Sequence, residues 1–94
     1  MLSLKNYNPY PNPFQESIIF PISIHANDNY WIRIFDTKGI LQKTIASDIS
    51  LQEGVYQAQW NGLNDQGIRL PSGAYEYTIS TQFSTISTGQ ITIQ

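Results

Sequence analysis

Few side chains in this sequence are placed to do chemistry. His25 is the only histidine, and it lies in the turn-like run His25-Ala26-Asn27-Asp28-Asn29. General acid–base work needs a second group brought to the imidazole, and a metal needs further nitrogen, sulfur or carboxylate ligands. A lone loop histidine offers neither, so His25 reads as an exposed turn residue. Asn61, Asn64 and Asp65 could lend oxygens to calcium, but such a site takes about six to eight oxygens and usually several carboxylates. That stretch carries one carboxylate, and Gly62 and Gly67 beside it are what a tight turn requires. The acids Glu16, Asp28, Asp36, Asp48, Glu53, Asp65 and Glu76 show no paired spacing, and most fall in turn-like stretches. No Ser-centred elbow and no phosphate-cradling glycine loop occurs. The sequence therefore predicts no catalytic residue, no metal and no cofactor.

The aromatic residues offer a different chemistry, because flat rings stack on sugars. Two tryptophans and six tyrosines are present. Alternation places Trp60, Tyr75 and Tyr77 with Ile and Ala, on faces expected to form a core. Trp31 falls opposite Ile32, and Tyr10 stands in a proline-rich run. For these two, packing and a contact patch are equally open.

The chain that must position these residues has 94 of them, enough for one domain with a thin core. It has no cysteine, which excludes disulfides and cysteine-ligated zinc. Net charge is −2 with only 13% charged residues, so no basic face exists to neutralise nucleic-acid phosphates. No apolar run approaches the roughly 20 residues of a membrane span, so membrane insertion is not expected. Met1-Leu2-Ser3-Leu4-Lys5 lacks the layout of a signal peptide. Residues 1–6 read as a linker, or as residues added to an excised domain. Abundant uncharged polar residues suit strands with wet outer faces, as in extracellular modules.

Helical periodicity is absent, and period-two alternation recurs. Tyr7 to Phe14 carries three prolines at every second position, so it can be only an edge strand or an extended lead-in. Ser17 to Ile24 follows as a strand with Ile18, Phe20, Ile22 and Ile24 on one face, and Pro21 marks an edge or bulge. Tyr30 to Phe35, with Ile32 and Ile34 inward, turns through Asp36-Thr37-Lys38-Gly39 into Ile40 to Ile45. Ser47 to Glu53 reads as a looser connection. Gly54 opens a strand on which Tyr56, Ala58 and Trp60 share a face. Asn61 to Gly67 is rich in turn residues, and Leu70-Pro71-Ser72-Gly73 makes a second corner. Ala74 to Thr81 and a last strand ending Gln90-Ile91-Thr92-Ile93-Gln94 complete the count. Seven short strands at this spacing predict a single all-β domain, a seven-stranded antiparallel immunoglobulin-like β-sandwich over residues 1–94.

Information about partners concentrates at the edges of such a sandwich. The candidates for recognition are Tyr10, Pro11, Asn12, Pro13 and Phe14 in the lead-in, Trp31, and Gln90, Ile91, Thr92 and Ile93 in the last strand. Edge strands offer unpaired N–H and C=O groups to which a receptor, or a second copy, can add a strand. The prolines equally well serve only to block such pairing.

Taken in order, these motifs resemble the type A C-terminal sorting domains of the type IX secretion system. Tyr10-Pro11-Asn12-Pro13-Phe14 is similar to the family's opening. Ile34 to Gly39, with Asp36 and Gly39, resembles its hairpin. Gly54 to Trp60 with Asn61-Gly62 resembles a further motif, as does Asn64-Asp65-Gln66-Gly67 with Pro71-Ser72-Gly73-Ala74-Tyr75-Glu76-Tyr77. The Trp-Asn-Gly to Pro-Ser-Gly-x-Tyr block is shared with the Ig-like domain of flagellar hook-capping proteins. One departure is that no Lys or Arg follows Arg69, where the family's last strand usually carries a Lys. The resemblance implies a non-catalytic label on a larger cargo, which lies in cis. It would be recognised by outer-membrane secretion machinery from the periplasm of a Gram-negative bacterium, and removed on attachment to the cell surface. Two alternatives stay open: a structural Ig-like spacer or assembly module, and a carbohydrate-binding accessory module of a secreted enzyme.

Overall fold

The computed structural model describes residues 8–94. They form six strands: β1 (Ile18–Ile24), β2 (Asp28–Phe35), β3 (Leu41–Leu51), β4 (Gly54–Trp60), β5 (Gly73–Ser80) and β6 (Thr85–Ile93). β1 and β4 pair as one antiparallel sheet, and the other has the order β3-β2-β5-β6. The expectation for residues 1–6 lies outside the described residues.

Alternation builds the core from both sheets. Ile18, Phe20, Ile22 and Ile24 point inward from β1, as their spacing demands, and meet Tyr30, Ile32 and Ile34 of β2 and Tyr75, Tyr77 and Ile79 of β5. Trp60 is buried between the sheets, with Phe14 at a ring-centroid distance of 5.7 Å and Tyr75 at 6.2 Å. Phe20 meets Tyr77 edge-on at 5.1 Å. Aromatic contacts of this kind add to area burial in a thin core. Of the face shared by Tyr56, Ala58 and Trp60, only Trp60 is fully buried.

Two expectations need correction. The seventh strand is absent among the described residues as a continuous element. Residues 10–14 instead make two isolated bridges, Tyr10 antiparallel to Ile19 and Phe14 parallel to Ile93. Pro11 and Pro13 have no N–H to give a ladder, so the segment pairs only at its ends. The run from Ser47, expected to be a connection, is instead the second half of β3, pairing Ile49, Ser50 and Leu51 with Tyr30, Asn29 and Asp28. Register shifts along the β2–β3 ladder, and Asp48 at φ 55°, break the alternation that would have revealed it.

The corners follow turn chemistry. Asp36 accepts from the N–H groups of Lys38 and Ile40, each at 2.9 Å, and Gly39 adopts φ 81°. Backbone donation, that of Ile40 first, holds the Asp36 carboxyl below the ordinary aspartate range; the Lys38 N–H and the Gln42 amide assist. Three tyrosine hydroxyls each donate to the carbonyl four residues back: Tyr30 to Ala26, Tyr56 to Gln52 and Tyr75 to Pro71. The last has the form of the tyrosine corner of immunoglobulin-like domains. Burial, with Asp36's charge adding to it, pushes the Tyr75 hydroxyl up from its ordinary pKa.

Candidate functional site

Two candidate segments far apart in sequence, the lead-in and the end of β6, lie against each other. Tyr10 exchanges backbone bonds with Ile19, its N–H donating at 3.0 Å and its carbonyl accepting at 2.8 Å. The chain then crosses from the β1 sheet to the β6 sheet. There the Phe14 N–H donates to the Thr92 carbonyl at 3.0 Å, and the Gln94 N–H donates to the Phe14 carbonyl at 2.8 Å.

Between these points stands Asn12, flanked by prolines that cannot donate. Its side-chain carboxamide does what a peptide group would do. The Thr92 N–H donates to Asn12 Oδ1 at 2.9 Å, and Asn12 Nδ2 donates to the Gln90 carbonyl at 3.2 Å. The edge of β6 from Gln90 to Gln94 is therefore satisfied, by Asn12 at one level and Phe14 at the next. Tyr-Pro-Asn-Pro-Phe is thus a clasp: Tyr10 holds β1, Asn12 holds β6, and Phe14 enters the core at 1% exposure.

The other recognition candidates divide by burial. Ile91 and Ile93 face the core, while Gln90 is exposed. Tyr10, Pro11, Asn12 and Pro13 are also exposed. Trp31 is half-buried on the outer face of the larger sheet, with the Arg33 guanidinium 5.7 Å from its ring centroid. Among the described residues the aromatic pairs are Phe14–Trp60, Phe20–Tyr77 and Trp60–Tyr75, so no second ring stacks with Trp31. A sugar platform needs such a coplanar pair.

The Asn61–Gly67 stretch is also structural. Trp60 Nε1 donates to the Leu63 carbonyl at 2.8 Å. Asn64 Oδ1 accepts from the N–H groups of Gln66 and Ile68, and Asp65 Oδ1 accepts from that of Thr44 at 3.2 Å. These oxygens are committed to backbone rather than gathered around an ion. Gly62, at φ 81°, lies under the guanidinium of Arg69; a Cβ there would come within 2.7 Å of Nη1.

Arg69 itself carried no signal in the sequence reading. Its Nη1 donates to the Asn61 carbonyl at 2.7 Å and its Nη2 to that of Gln15, joining the loop to the lead-in. Gly89 was missed as well. It sits opposite Tyr77, whose ring leaves no room for a side chain.

A groove of about 390 Å³ continues the β1–β6 seam beyond the clasp, lined by Pro21, Ser23, His25, Asp28, Ser84 and Ile86 among others. The Thr81 and Ser84 hydroxyls on its wall lie 3.3 Å apart, and the Thr81 hydroxyl accepts from the N–H groups of Phe83 and Ser84. Thr81 is thus a turn cap rather than a nucleophile held against a base.

Among solved structures, the chain is similar to a part of dimeric latent PorU from Porphyromonas gingivalis. The TM-score is 0.69 at 16% identity, covering 92% of this chain and 9% of that one. It is also similar to a part of PorZ from the same organism, a surface component of its type IX secretion system. Here the TM-score is 0.61 at 18% identity, covering 97% of this chain and 12% of that one. The chain spans about a tenth of the length of either protein, and at these identities the likeness is one of fold. No curated protein matches the sequence. Residues 23–84, which contain β2 to β5 complete, match the family model for the FlgD Ig-like domain. That match covers about two-thirds of the sequence, and the chain belongs to the FlgD Ig-like domain family.

Proposed function

We propose that this domain is a non-catalytic sorting module: a C-terminal label on a longer exported cargo, recognised by the outer-membrane type IX machinery and removed when the cargo is fixed to the cell surface. The observation that carries this reading is the clasp. The Tyr10–Phe14 motif that sets the sorting-domain resemblance apart from other Ig-like domains is built into the fold and meets the last strand. Both segments of that resemblance therefore present one composite surface, with Tyr10, Pro11, Asn12, Pro13 and Gln90 outward. The fold likeness to short parts of PorU and PorZ agrees with a module carried in a much longer chain. The carboxylates of Asp36 and Asp65 and the turn hydroxyl of Thr81 serve backbone groups, which supports a non-enzymatic role.

The test is a fusion of the domain to a signal-peptide-bearing reporter, expressed in a type IX-competent cell and in the same strain without the translocon. Delivery to the surface or medium is expected only in the first. Periplasmic reporter in both would remove the proposal. The second reading, a spacer or assembly module, draws on membership of the FlgD Ig-like family. It expects the parent chain to continue beyond Gln94 or to belong to an appendage.

A further inference from the structure

The two sheets have four outer edges, and three carry a device against strand addition. β6 is covered from Gln90 to Gln94 by the clasp. β1 is bridged at Ile19 by Tyr10, and two residues on, where the next outward donor would stand, it has Pro21. β3 is irregular, and at Gln42 and Thr44 it is met by Asp65. Among the described residues the fourth edge, β4, has none of these.

Its outward groups follow from the ladder. Ile19 turns its N–H and carbonyl toward Tyr10, away from β4, so Ile19 and its partner Gln59 form a non-hydrogen-bonded pair. By alternation Val55, Gln57 and Gln59 aim their backbone groups away from β1, and among the described residues β4 has no other partner. Gly54-Val55-Tyr56-Gln57-Ala58-Gln59-Trp60 contains no proline and no charge, and its pairing with β1 shows no register shift. The side chains of Val55, Gln57 and Gln59 are exposed, Val55 at 60%.

We infer that this edge takes the same edge of a second copy of this chain, joining two β1–β4 sheets into one continuous sheet across a two-fold axis at Gln57. Self-pairing suits this sequence in particular. About that axis Gln57 faces Gln57 of the second copy, and Val55 faces Gln59. All are outward-aimed positions, so they form about six backbone hydrogen bonds, two from each opposed pair. A two-fold sets each residue near its own copy, where a charge would meet a like charge; from Gly54 to Trp60 there is none. The Gln57 and Gln59 amides already bond within the chain, Gln57 Nε2 donating to the Tyr10 hydroxyl at 3.4 Å and Gln59 Nε2 to the Ser17 hydroxyl at 3.1 Å, so the pairing rests on backbone groups. A two-fold pairing uses the same edge of both copies, so the assembly closes as a dimer rather than a fibre. The interface is small, so the dimer forms at high concentration rather than as an obligate pair.

This inference stands apart from the sorting proposal, since a chain that stays monomeric would overturn it and leave sorting untouched. The experiment is sedimentation velocity on the 94-residue chain from micromolar to millimolar concentration. A reversible shift to dimer is expected. Gln57→Lys is expected to weaken the dimer roughly tenfold or more by opposing like charges, with the melting temperature little changed, because the bond to the Tyr10 hydroxyl that it loses is exposed and long at 3.4 Å. Thr88→Lys, on the β6 edge, is expected to leave the dimer intact. A wild-type chain that is monomeric throughout, or a dimer lost in Thr88→Lys and kept in Gln57→Lys, would overturn the inference.

Discussion

Along the β1–β6 seam a neutral carboxamide, that of Asn12, lies on a strand edge, donating to the Gln90 carbonyl and accepting from the Thr92 N–H. Along the β3–β4 seam the corresponding place is taken by Asp65. Its carboxylate accepts from the Thr44 N–H, and its own N–H donates to the Gln42 carbonyl. Both solve the same problem, an open edge at the side of a sandwich. The amide supplies donor and acceptor from one side chain, and so works between prolines that have no N–H of their own. The carboxylate can only accept, so it needs an ordinary backbone beside it. The clasp also drives a buried aromatic, Phe14, into the core, whereas the loop lays an exposed Ile68 on the surface.

The largest effect should separate the seams by their anchors. Phe14→Ala is expected to cost about 3–5 kcal/mol in urea unfolding, as for a buried aromatic left as a cavity. Ile68→Ala should stay within about 0.5 kcal/mol. Equal losses would break the comparison.

Next comes the chemistry of the two surrogates. Asn12→Asp keeps the shape but turns an acceptor toward the Gln90 carbonyl, and should cost about 1–2 kcal/mol in the same measurement. Asp65→Asn keeps an acceptor for Thr44 and should cost under about 1 kcal/mol, since the Lys43 pair it weakens is long at 3.7 Å and exposed.

Acid should sharpen the contrast. The Asp36 carboxylate also accepts from Gln42 Nε2 at 3.1 Å, and Gln42 is the residue whose carbonyl receives Asp65. The folded-state pKa of Asp36 lies below its unfolded value. Its contribution to stability is therefore present above the unfolded pKa and lost as pH falls through the folded one. Thermal melts taken downward through the carboxylate range should show a loss that Asp36→Asn abolishes. Amide protection at Lys38 and Ile40, whose N–H groups donate to the Asp36 carboxylate, should fall with it, while protection at Thr92, held by a neutral group, stays.

The smallest effect is that of salt. Raising it to about 1 M should cost the loop seam no more than a few tenths of a kcal/mol and the clasp nothing, as unfolding midpoints would register.

Much of the frame was legible in the sequence because its causes are local. The alternation of Ile18, Phe20, Ile22 and Ile24 announced an inward face, and Asp36 with Gly39 announced the hairpin by turn chemistry. The Trp60–Tyr75 block marked the fold. What stayed hidden depends on partners distant in sequence. Nothing near Asn12 tells that its amide lies on Gln90 and Thr92, so the two edges read as open when each closes the other. Asp48 and the irregular β2–β3 register masked half of β3. Nothing near Arg69 in the sequence marks its role, because the carbonyls it binds belong to Asn61 and Gln15.

The central claim, that the Tyr-Pro-Asn-Pro-Phe segment closes the β6 edge as part of the fold, is met most directly by amide hydrogen exchange along β6. Thr88 and Thr92 both turn outward on that strand, and only Thr92 has the clasp over it. The expected result is slow exchange at Thr92 and Gln94, fast exchange at Thr88, and selective loss of Thr92 protection in Asn12→Asp. Exchange at Thr92 as fast as at Thr88 in the unaltered chain would contradict the claim.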